Sequence, residues 1–563
     1  MIRNASKYRL TYLLTIVILM IPGLRMTAQE LNKEVYVVRP YEPTLSDADK
    51  YNFLPAANGF ETTLPKFQYS ISPRRLDSSF EPDPIKAAKT VTTSLSKIYN
   101  SWLKIGLGNY STPMAEFNVS NLRSKDYAYG AYMYHKSSNG KVSLSNDDKV
   151  NAGYVVNNIN LYGKRFFANA TLSGNLRFDQ NAFNYYGYNP EKFSAPANPD
   201  RDSIRQKTYK TGIDIGVGST YTDSTQLNYK ITASFDYFID KLKNKESSLV
   251  IKSSLSKQFY GLLGGLDMSL DYSKLNGTID SLTNTIFRFN PWISKRSTDW
   301  KFILGFEAVA DVAEISNFYF YPHANLDIII IEDVLVPFIG LSGELQKNNY
   351  QQMFSENQFI KPGLFLKNTS SNLIAYGGLK GSINSNMRFR ADVSYTVYKN
   401  FHFFVNDTVT ISPNLPLQNQ FTAVYDDINL ITYHGQLAVQ PSENFEFIID
   451  GKYLDYKTFE EAKPWHKPDF KIGLDATYKL KSKITVGAGI NIIGNRWVRN
   501  YSQPDDMQKF KPVFDANLNV DYHYSKLLTV FADFHNLTER SYMIWNQYPS
   551  QRFNFLFGFS YKL

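Results

Sequence analysis

From about Ser101 to Leu563 the chain alternates large apolar and polar residues with a period of two, the repeat of a strand whose faces meet different surroundings. Leu227, Tyr229, Ile231, Ala233, Phe235 and Tyr237 share one face, against Asn228, Lys230, Thr232, Ser234 and Asp236. Phe389, Ala391, Val393, Tyr395 and Val397 oppose Arg388, Arg390, Asp392, Ser394 and Thr396. The same rhythm runs through Phe166 to Arg177, Phe470 to Leu480 and Phe514 to His523. It ends on Phe553, Phe555, Phe557, Phe559, Tyr561 and Leu563, opposite Asn554, Leu556, Gly558, Ser560 and Lys562. Any one of these strands would suit a soluble sandwich. A long series with charged partners and no helical segment to cover the apolar side points to lipid as the cover.

The connectors alternate too. Tight turns near Lys481-Ser482-Lys483 and Tyr524-Ser525-Lys526 are interleaved with long links at roughly 138–149, 179–205, 456–467 and 498–511. Short turns on one side and long loops on the other are the habit of membrane barrels. The pattern predicts an all-β chain, a transmembrane antiparallel β-barrel of about 22 strands over residues 96–563. Gly261, Gly264, Gly265, Gly487 and Gly489 are expected inside strands, and Trp102, Trp292, Trp300, Trp497 and Trp545 in girdles at the membrane interfaces.

The N-terminal part differs. Residues 1–29 read as a signal peptide, with Arg3, Lys7 and Arg9 ahead of the apolar run Leu10 to Ile21 and cleavage near Thr27-Ala28-Gln29. Residues 30–95 hold seven prolines, from Pro40 to Pro84, and no sustained alternation, so they are expected to be a short irregular segment in the periplasm or the lumen. Glu34, Val35, Tyr36, Val37 and Val38 form a short β-prone run there. They are a candidate partner-binding strand or a fragment packing at the barrel mouth.

Composition narrows the class. Aromatic residues make up 15% of the chain, with 40 Tyr and 40 Phe, yet mean hydropathy is −0.34. Beyond the leader there is no apolar run of about 20 residues, as a membrane helix would need. The chain has no cysteine, which excludes disulfides, thiolate metal sites and a lipidated Cys anchor. The net charge of +9 is interspersed, without the basic block that nucleic acid would require.

Near the end stand Asn536-Leu537-Thr538-Glu539-Arg540-Ser541-Tyr542, then Tyr548-Pro549-Ser550-Gln551-Arg552 and the closing strand. This stretch resembles the final hairpin of TonB-dependent receptors, with Thr538 where the family usually has Asn or Asp and Gln551 where it has Gly. The closing strand resembles the C-terminal signal that barrel-assembly machinery reads. The aromatic-rich strands and the Ala-Gln leader end resemble proteins of Bacteroidetes-type bacteria. The resemblance implies a barrel in the outer membrane of a Gram-negative bacterium, passing or taking up a solute. It also implies outer-membrane lipid, the assembly machinery and a TonB-like protein as partners. Residues 30–95 are too few for that family's plug and lack its Gly- and Arg-rich motifs. An accessory barrel of an assembly or export complex, its N-terminal arm binding periplasmic or outer-membrane subunits, therefore stays open.

Candidate chemistry is sparse. The seven histidines are isolated, and no nucleophile elbow or phosphate-cradling loop is legible, so the expectation is a non-enzyme without cofactor or metal. Arg388, Arg390 and Asp392, with Lys471, Asp475, Lys479, Asp521 and His523, are candidate lumen-lining residues. They would act as a filter, pair with one another or simply wet the wall.

Overall fold

A computed structural model describes residues 99–121, 123–188, 201–221, 223–277, 281–313, 316–407, 420–499 and 507–563. Every described residue belongs to one compact unit, Thr93–Leu563. The expected leader and the Pro-rich segment, Glu34 to Val38 included, lie outside the described residues.

Alternation along the chain becomes one antiparallel sheet of 22 strands. The first strand, Ser101–Gly108, pairs with the last, Asn554–Lys562, and this closes the barrel and leaves no sheet edge. Gly106 and Gly558 face each other across that seam. A Cβ on Gly558 would collide with the Ile105 carbonyl oxygen, so the glycine in the closing strand is a condition of closure.

The two faces separate as the pattern requires. Leu172, Leu176, Ile213, Ile231, Phe320 and Ile339 are exposed on the outer wall, and so are Phe557, Phe559 and Tyr561 of the closing strand. An apolar surface this continuous is stable only against lipid.

The ends of the barrel are unequal. Hairpin connections 260–261, 385–386, 443–444 and 481–483 crowd one end, while 139–153, 347–368 and 536–553 lie at the other. Tyr260 and Gly261 both adopt positive φ, the geometry of a two-residue hairpin turn; Gly261 is therefore a turn residue, while the other four glycines sit within strands as expected. The wall is also uneven in height. Met387–Asn406 and Phe421–Ser442 run to 20 and 22 residues, against 8 for Leu528–His535. At about 3.3 Å per residue the tall pair extends well past a hydrocarbon layer of about 30 Å.

Three expectations shift in detail. The run Phe166 to Arg177 is two strands, Tyr154–Phe166 and Ala170–Asn184, and the turn between them shifts the phase, so that Phe166 pairs with Thr171 and not with the outward Leu172, which pairs with Arg165. The link placed at 179–205 begins only after Asn184. The link placed at 498–511 carries a paired ribbon of its own, Arg496–Arg499 with Met507–Phe510.

Candidate functional site: the lumen wall and the capped mouth

The inner wall is charged and largely self-paired. Arg177 reaches Asp214 at 2.9 Å and Asp236 at 3.1 Å, and Lys210 also contacts Asp236. Arg288 faces Glu307, Lys347 pairs with Asp271, and Lys380 meets Asp327 at 3.0 Å. A polar lumen needs such pairs because neighbouring inward residues stand side by side across strands.

The candidate lumen-lining residues fall on this wall in two groups. Arg390 donates to Asp392 at 2.6 Å, and Asp392 in turn contacts His434, whose other ring nitrogen lies 2.9 Å from Asp450. The row thus crosses three adjacent strands, with the Arg390 guanidinium resting 5.0 Å from the Phe338 ring centre. Arg388 points to the same face without joining the row. Lys471, Asp475 and Lys479 share the polar face of Phe470–Leu480, with no ion pair between them among the described residues. Asp521 lies on Val513–His523, and His523 at its end bridges Thr485 and Thr529. The closing-strand aromatics Phe557, Phe559 and Tyr561 face outward, paired between both neighbouring strands, and Phe553 precedes the strand.

The sequence did not disclose what happens at the long-loop end. Tyr185 and Tyr186, with connectors 347–368 and 536–553, share a hydrophobic core with Phe183, Phe238, Phe404 and Phe421 from distant strands. Phe359 and Tyr548 stack with ring centres 3.6 Å apart, and Tyr186 meets Tyr548 edge-on at 5.0 Å. Tyr185 donates to the Ile360 carbonyl and Tyr186 to that of Pro549. These contacts tie loops from separate arcs of the wall into an aromatic cap across the mouth.

Polar groups pin the cap. Asn349 caps the helix Tyr350–Glu356 by accepting from the Gln352 amide, and Glu246 accepts from both the Tyr350 amide and Asn349. The fully buried Tyr350 hydroxyl donates to Asp240 at 3.1 Å, and burial first, with Asp240 next, pushes its pKa far above the usual phenol range. His466 donates from Nδ1 to the Phe404 carbonyl and accepts the Asn546 amide at Nε2. A protonated ring would turn that second contact donor against donor. Burial, with Arg496 and Lys467 adding to it, lowers the His466 pKa from 6.5 to about 3. Burial alone would raise the Glu356 pKa, but the hydrogen bond from His402 and the charge of Lys467 outweigh it and bring it to about 2.

This cap corrects the tryptophan expectation. Trp545 packs against Phe404, Phe421 and His466 inside the mouth, and Trp497 lies in the loop ribbon. Trp292 donates to the lumenal Asp267. The missed signal was the recurrence of amide residues beside tyrosine in the long loops: Asn184-Tyr185-Tyr186, Asn348-Asn349-Tyr350 and Asn546-Gln547-Tyr548. Amides that satisfy loop backbone beside rings that pack are the composition of a folded loop.

Fold and site together define a 22-stranded transmembrane β-barrel with a charged lumen and a capped mouth. No protein-family model matches the sequence, and no curated protein matches it. Its fold is that of solved iron-uptake receptors. The siderophore receptor PirA from Acinetobacter baumannii superposes with a TM-score of 0.64 at 12% identity, covering 82% of this chain and 80% of that one. The FrpB iron transporter from Neisseria meningitidis gives 0.64 at 9% identity, over 83% and 82%. A ferric enterobactin receptor (PfeA) variant from Pseudomonas aeruginosa gives 0.61 at 11% identity, over 83% and 81%.

Proposed function

We propose that this chain is an outer-membrane barrel that takes up or passes a solute through its lumen, a relative of TonB-dependent receptors with a reduced N-terminal segment. The observation that carries this reading is the closed 22-stranded barrel with a charged inner wall, wide enough at that strand number to hold a solute path. The solved barrels of this fold named above include a siderophore receptor and an iron transporter, which supports transport over catalysis. In this reading residues 1–29 are the leader, the closing strand is what the assembly machinery reads, and Glu34 to Val38 engage a TonB-like partner by strand addition. Residues 30–95 stand in place of a full plug, in a Bacteroidetes-type protein.

The packed mouth favours a second reading, an accessory barrel of an assembly or export complex, which needs no path. Planar-bilayer conductance of the refolded protein, with and without residues 30–95, separates the two. Conductance steps in either form support a solute path. Silence in both forms, and also in a Phe359→Ala/Tyr548→Ala variant verified as folded, overturns transport and leaves the accessory role.

A further inference from the structure

A cavity of about 790 Å³ lies beside the cap, lined by residues of the long connectors. Its walls come from the connectors 139–153 and 536–553 and from residues 508–514, with Arg496 and Tyr188. Arg496, Lys509, Lys511 and Arg540 line it, and no carboxylate among the described residues does. Asp148 hydrogen-bonds Tyr188 and Asp515 acts on Tyr542, but both stay out of the lining.

Arg496 is the informative member. It is 3% exposed, yet no described carboxylate lies within ion-pair distance. Among the described residues it hydrogen-bonds the Ile544 carbonyl while its buried Nε has no partner, and its guanidinium rests 5.7 Å from the Phe510 ring centre. A buried guanidinium without an anion is costly, and one that lines a cavity with an unpartnered Nε suits an oxyanion. Lys509, Lys511 and Arg540 are exposed at the rim and would draw the same ligand in. Phe510, Tyr188 and Tyr542 supply ring faces for its uncharged body, and the volume suits a small molecule.

We propose that this cavity binds a soluble oxyanion, a carboxylate or phosphate carried on a small organic body, with Arg496 as its buried anchor. The proposal rests on the uptake reading for its purpose, because it names the class of solute presented at the mouth. Its test is independent of conductance. Isothermal titration of the full chain in phosphatidylcholine nanodiscs, with pyrophosphate and with citrate as probes, is expected to show saturable binding. Arg496→Gln should weaken it by about tenfold or more. The exposed rim variant Lys511→Gln/Arg540→Gln, which leaves the buried anchor in place, should weaken it by about threefold and flatten its salt dependence. Lys483→Gln, at the opposite end, should change nothing. Absence of binding for both probes overturns the proposal, as does binding that all these variants retain. Binding that appears only in Asp505→Asn/Asp506→Asn overturns it as well, since the cations would then be satisfied within the chain. Loss of pyrophosphate binding in phosphatidylglycerol nanodiscs would assign the cations to a lipid headgroup and overturn the soluble ligand.

Discussion

His466 is held in its neutral form by two contacts that only a neutral ring can make together. Its proton affinity in the packed cap is near pKa 3, against 6.5 for an ordinary histidine. An opened cap therefore binds the proton first, and the contribution of His466 to cap stability is complete above pH 6.5 and falls as pH drops toward 3. Glu356, lowered from 4.5 to about 2, acts in the same direction over a more acidic window. Trp545, 5.2 Å from the imidazole, reports on this. Its fluorescence, isolated by difference against Trp545→Phe, is expected to change below pH 6.5 in the wild type and to lose that step in His466→Gln. Identical acid profiles would refute it. Asn536 offers a second test at this scale. Its side chain donates to the carbonyls of Arg540 and Gln551, and its backbone sits at φ 50°. Asn536→Ala strands both carbonyls and strains the turn, so urea unfolding should show a loss of about 1–3 kcal/mol.

Strands and loops carried unequal information. A strand declares itself because lipid demands an apolar side chain at every second position, and this marked the outer wall from Leu172 to Tyr561. Replacing Leu176 or Ile213 on that face with Arg should cost about 2–4 kcal/mol in refolding titrations near the bilayer midplane. A Thr232→Asn change on the lumenal face should be nearly neutral. Equal costs on the two faces would contradict the assignment of inside and outside. The strand count and the polarity of Arg390, Asp392 and Lys479 were legible for the same reason. The cap was not, because loops that pack on one another have no period. Phe359 and Tyr548 are far apart in sequence and become stacked only once the barrel brings their connectors together. Arg496 was invisible too, since burial without a counter-charge is a property of the folded loops alone.

The described residues form a closed wall with a charged inner face, and at one end their loops meet in a shared aromatic core. If the lumen is a path for solute, the cap lies across it, and fixing the cap must stop flow. The chain has no cysteine of its own, so a pair can be introduced cleanly. The decisive measurement is single-channel conductance of Phe359→Cys/Tyr548→Cys, lacking residues 30–95, before and after a short reversible dithiol crosslinker. The account predicts conductance steps in the free form, their loss on crosslinking and their return when the link is cleaved. Conductance that is the same in all three states, in protein verified as folded and crosslinked, would contradict it.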